Sequence, residues 1–135
     1  MKSGIIAGLI AGLIGGIVEN IAFIIGVTLR IWEPYQGVIS STFLTTHLLF
    51  EIIITGIFGA IFGFLYAMYY DSTPGKGVLK GLLFGLILYL ISNVRGAISL
   101  AGYGFITNAK VSLWLGIFTL TVYGLVLGYL YKPKK

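Results

Sequence analysis

At 135 residues, 58% of them hydrophobic and 10% charged, with a mean hydropathy of +1.02, the chain is unlike a soluble domain, which carries about 25% charged residues. Its lack of cysteine excludes disulfides, thiolate metal sites and cysteine nucleophiles. Its net charge of +5 sits at the ends of apolar runs rather than in a basic stripe, which argues against nucleic-acid binding.

Four runs are long enough to cross the roughly 30 Å hydrocarbon layer, which takes about 20 mostly apolar residues as a helix. The first, Ser3–Leu29, is punctuated by Gly4, Gly8, Gly12, Gly15 and Gly16 and carries Glu19 and Asn20. Its start has the silhouette of a signal peptide, but Glu19 and Asn20 stand where a small-residue cleavage site belongs, so it is expected to stay as a mature helix. A polar connection with Trp32, Pro34 and Tyr35 follows, ending at Ser40–Ser41–Thr42. The second run, Phe43–Tyr70, contains His47 and Glu51 and finishes in Tyr66, Tyr69 and Tyr70. Asp71–Ser72–Thr73–Pro74–Gly75 reads as a tight turn, with Pro74 suited to the first turn of the next helix. The third run, Pro74–Leu100, carries Ser92, Asn93 and Arg95. A short loop with Tyr103, Asn108 and Lys110 leads to the fourth, Val111–Tyr131.

The halves resemble each other. Gly4, Gly8, Gly12 and Asn20 match Gly77, Gly81, Gly85 and Asn93 at a constant offset of 73, and Gly59, Gly63 and Tyr66 match Gly124, Gly128 and Tyr131 at an offset of 65. The expected fold class is therefore an all-α integral membrane protein. Its four transmembrane helices form two parallel-repeat hairpins, about 3–70 and 74–131, in one membrane domain, 1–135, with glycine-zipper packing. Small residues four apart let helix backbones approach in lipid, where association lacks a hydrophobic drive. The expected packing strips are Gly4–Gly8–Gly12–Gly16, Gly59–Gly63, Gly77–Gly81–Gly85 and Gly124–Gly128. Lys2, Lys76, Lys80, Lys132, Lys134 and Lys135 flank one set of helix ends. The positive-inside rule then expects both termini in the cytoplasm, most simply at the plasma membrane.

The strongly polar side chains within the runs are Glu19, Asn20, His47, Glu51, Ser92, Asn93 and Arg95. At 1.5 Å per helical residue, Glu19, Glu51 and Arg95 fall in one layer, roughly 22 to 28 Å from the cytoplasmic ends. Straight helical periodicity puts Ser92, Arg95 and Ser99 on the face of Gly77–Gly85, so the guanidinium is expected between the two carboxylates. This set reads either as a static ion-pair network or as a cation or proton site. The single histidine cannot form a bis-imidazole haem, and no metal or other cofactor is expected.

No nucleophile–base–orienter set, phosphate loop or dinucleotide fingerprint is present, so catalysis is not expected. The leading expectation is a non-catalytic accessory or structural subunit, in a homo-oligomer or larger complex within the lipid bilayer. The alternative is a small ion, proton or solute transporter or channel using the Glu/Arg/His layer. A redox or lipid-active enzyme with a bound quinone, haem or lipid near His47 ranks third.

Overall fold

The computed structural model describes residues 2–29 and 41–133, and for 41–45 the backbone alone. The connection through Trp32, Pro34 and Tyr35, the charges Arg30 and Glu33, and the tail residues Lys134 and Lys135 lie outside the described residues.

The described chain is all-helical: α1 Lys2–Thr28, α2 Ser41–Met68, α3 Val78–Tyr89, a π-helical stretch Leu90–Val94, α4 Arg95–Gly102 and α5 Ile106–Leu130. Because α3, the π stretch and α4 run on as one rod, the structure has four helices long and apolar enough to cross a membrane. α1 packs on α2 on one side and on α5 on the other, and α3 and α4 cover the far side of α5. Lys2, Tyr70, Asp71, Tyr131 and Pro133 line one hollow, so the start of α1, the end of α5 and the 71–77 turn share one end of the bundle.

The burial pattern is inverted relative to a soluble helix. α1 buries Gly4, Ala7, Gly8, Ala11, Gly12, Gly15 and Gly16, while Ile5, Ile6, Ile10, Ile14, Ile17 and Ile21 are exposed. In lipid this is the favourable arrangement, since branched side chains lose nothing by facing acyl chains and small ones allow close backbone contact. A Cβ added to Gly8 would meet the Gly59 carbonyl and lie 2.6 Å from Gly63 Cα. One added to Gly12 would meet the Thr55 carbonyl and lie 2.9 Å from Gly59 Cα. Gly4 faces Gly63 and Ala67, and Gly16 faces Ile52 and Thr55. On the other side, a Cβ on Gly81 would meet the Gly124 carbonyl and lie 2.6 Å from Gly128 Cα. Gly85 faces Leu120 and Gly124 in the same way.

Gly77 differs from its expected role. It is exposed, and an added Cβ would touch nothing within 4 Å. Its φ of 51°, with Gly75 at 97°, instead reverses the chain in a conformation that glycine adopts without a Cβ penalty. The turn therefore extends to Gly77 and the helix starts at Val78, leaving Pro74 in the connection rather than in a helical first turn. Lys80 closes this turn, donating to the Tyr70 carbonyl with its ammonium 4.1 Å from the Tyr70 ring centre. At the opposite end α5 starts at Ile106, so Asn108 and Lys110 belong to the helix and the loop is reduced to Tyr103–Phe105.

The core is aromatic toward the chain ends, where Tyr66, Phe84, Leu88, Tyr123, Leu127 and Tyr131 close around Ala7 and Ala11. Toward the far end it narrows to Val27 and Val111, with Phe23 and Leu115 beside them.

Candidate functional site: a carboxyl pair between three helices

The contacts of α1 set an antiparallel register with α2: Gly8 faces Gly63, Gly12 faces Gly59 and Gly16 faces Thr55. One turn further, the same register brings Asn20 level with Glu51. Gly15 lies on a different strip of α1, facing Thr119 and Tyr123 of α5, and Glu19 follows it one turn later on that strip. Glu19 thus sits where α1, α2 and α5 meet. Its carboxyl neighbours Glu51 on α2 and Thr119 on α5. His47, one turn from Glu51 on α2, places Nε2 3.4 Å from the Glu51 carboxylate and is itself 44% exposed. Its ring lies 6.3 Å from that of Phe23.

Below the pair is a cavity of about 110 Å³, lined by Gly12, Gly15, Thr55, Phe58, Thr119 and Tyr123 among others. Backbone carbonyls also accept from the hydroxyls around it. Thr55 donates to the Glu51 carbonyl at 2.9 Å, Thr119 to the Leu115 carbonyl at 2.9 Å and Tyr123 to the Gly59 carbonyl at 2.9 Å. Asn20 donates to the Gly16 carbonyl at 2.8 Å, but its Oδ1 is buried with no partner. Oxygen acceptors therefore outnumber donors here, and the donor in shortest supply is a proton between the carboxyls.

Arg95 is not part of this group. Its side chain is exposed on the outside of the bundle, together with Ser92 and Ser99. The expected position between Glu19 and Glu51 is corrected by the π-helical stretch Leu90–Val94, which inserts one residue into the helical repeat. The buried face runs Gly81, Gly85 and Leu88; an uninterrupted α-helix continues it through Ser92 and Arg95. The extra residue turns the rod by about 100°, so Asn93 and Ala97 face inward instead, Asn93 half-buried and Ala97 buried. Asn93 anchors the altered register by donating to the Ser112 carbonyl at 3.0 Å. Gly116 leaves room for it, since an added Cβ there would collide with the Asn93 amide. Ser92 bonds back to the Leu88 carbonyl at 2.6 Å, and the Tyr89 hydroxyl donates to the Leu113 carbonyl at 3.2 Å.

Of the polar set read from the sequence, the structure brings together Glu19, Asn20, His47 and Glu51, and places Ser92, Asn93 and Arg95 elsewhere. Thr119 and Tyr123 are additions. Neither lies on a glycine strip, and nothing short of the α1–α5 contact identifies them. Comparison with protein-family models, with curated proteins and with solved structures found no match to this chain.

Proposed function

We propose that the protein is a non-catalytic subunit of a membrane assembly. It crosses the bilayer four times with both termini cytoplasmic and folds on itself through two equivalent glycine-zippered hairpins. Support for the hairpins comes from recurrence of the same contacts. Gly8 with Gly59 and Gly63 becomes Gly81 with Gly124 and Gly128 at the offsets of 73 and 65, and Gly12 with Thr55 and Gly59 becomes Gly85 with Leu120 and Gly124. The shared end of the bundle carries Lys2, Lys76, Lys80 and Lys132 against Asp71, which supports a cytoplasmic location for it.

The observation that carries the assembly reading is the outward Ser92–Arg95–Ser99 stripe on a membrane-length helix. A guanidinium left against lipid costs about 3 kcal/mol or more, and a helix bearing a carboxylate in a neighbouring subunit removes that cost. Mild extraction and native electrophoresis test this. The wild-type chain should migrate in a larger species, and Arg95→Ala should release a lone folded chain with unchanged far-UV circular dichroism. A wild type that already runs alone in mild detergent, or equal migration of both proteins, refutes the assembly.

The carboxyl pair favours a second reading, a small proton or solute transporter. In proteoliposomes that reading expects flux that Glu51→Gln reduces at least tenfold, and equal flux in both proteins removes its basis.

A further inference from the structure

We infer that Glu19 and Glu51 hold a single exchangeable proton between them, forming a proton-binding site that opens toward His47. Two carboxylates held side by side repel unless a proton lies between them, and the helix register together with the mutual influence of the two groups makes Glu19 and Glu51 neighbours between α1 and α2. The surroundings supply no substitute. Thr119, the other neighbour of Glu19, has a single hydroxyl proton for which Glu19 competes with the Leu115 carbonyl. Asn20, 4% exposed and level with Glu51 in the helix register, offers an unpartnered Oδ1 rather than a donor. The unused acceptor, on the residue next to Glu19, independently marks a place short of a hydrogen-bond donor.

The charged and titratable groups on the three packed helices are few. At this level α1 contributes Glu19, and α2 contributes Glu51 and His47, while Lys2, Tyr66 and Tyr129 of the same three helices lie toward the chain-end side. α5 contributes Tyr123 one turn deeper, its proton bound to Gly59, and Lys110, exposed at the far end of the helix. Arg95, the cation expected to neutralise the pair, is turned away on α4. Among the described residues no group of three or more His, Cys, Asp or Glu side chains is placed to hold a metal ion.

His47 is partly exposed and lies 3.4 Å from Glu51, so it can receive the proton from the pair and pass it to water. On the other side the cavity ends against Phe62 and Tyr123, below which Tyr66 and Leu127 are fully buried. When the proton leaves, two negative carboxylates remain side by side and repel, forcing α1 and α2 apart at this level. The site therefore links protonation to the spacing of the first hairpin. The transport reading requires this proton, but the site stands whether or not the chain assembles through Arg95 or moves a solute.

Infrared titration of the full-length protein in lipid nanodiscs tests it without any activity assay. At neutral pH the wild type should show a protonated-carboxyl C=O band that shifts in heavy water and disappears on alkaline titration. Glu19→Gln and Glu51→Gln should each abolish the band, and Asp71→Asn, at the other end of the bundle, should keep it. No protonated carboxyl in the wild type at neutral pH overturns the proposal, even if the variants fail to fold. So does a band that survives in both glutamine variants, or one erased by sodium at constant pH, which would make the occupant a metal ion.

Discussion

Gly8→Leu should unfold the first hairpin, and Gly81→Leu should do the same to the second. At Gly8 the added side chain meets the Gly59 carbonyl and Gly63 Cα, and at Gly81 it meets their counterparts Gly124 and Gly128. All of these atoms are backbone, so no rotamer change relieves the clash and the helices must separate. Overpacking a well-packed site costs typically 1–3 kcal/mol. With backbone on the opposing side, about 3 kcal/mol is expected for each substitution. Gly96→Ala is the matched control, because nothing lies within 4 Å of its added Cβ and its backbone is ordinary helix. There, better helix propensity should stabilise by about 0.5–1 kcal/mol. Unfolding in mixed micelles with increasing denaturing detergent, followed by circular dichroism, separates the cases. Equal midpoints for Gly8→Leu, Gly81→Leu and Gly96→Ala would show that the close contacts contribute nothing.

The second large effect is expected at Tyr66, and its sign depends on which part of the side chain is removed. The ring is fully buried, with its centre 5.1 Å from Phe84, 5.4 Å from Tyr131 and 5.5 Å from Tyr70. Tyr66→Ala empties the middle of this aromatic core. Aromatic-to-alanine changes in soluble cores cost about 3–5 kcal/mol. Here the cavity part of that cost applies in full, so a loss of about 3 kcal/mol is expected. Tyr66→Phe should behave oppositely. Its hydroxyl is buried without a partner, a burden of about 1–3 kcal/mol for an unsatisfied polar group, so its removal should leave stability unchanged or raise it by about 1 kcal/mol. The same detergent titration reads both variants. A Tyr66→Phe protein as unstable as Tyr66→Ala would mean that the hydroxyl, rather than the ring, holds this end of the bundle together.

Particular residues show how far the chain could be read before its structure was known. The constant offsets between Gly8 and Gly81 and between Gly59 and Gly124 marked stripes of residues without side chains, which have few uses in lipid besides close approach, but did not say which stripe faces which. Glu19 and Glu51 were placed at one level by counting the helical rise alone, and the structure makes them neighbours. Thr119 could not be found that way. It joins the site through the packing of α1 on α5, and which helices become neighbours depends on which surfaces fit.

Length and apolar composition were enough to specify four helices of membrane-crossing length, because the hydrocarbon layer sets the number of residues directly. Glycine spacing singled out positions such as Gly8 and Gly81, where an added Cβ meets opposing backbone, but also Gly77, where it meets nothing. The direction of Arg95 was decided only by the tertiary structure. Asn93 reaches a carbonyl on a different helix, through the gap left by Gly116, and one extra residue in the turn before Arg95 accompanies that bond. Helical periodicity assumes an unbroken repeat, so a single inserted residue turns the rest of that helix by about 100° and moves Arg95 off the buried face.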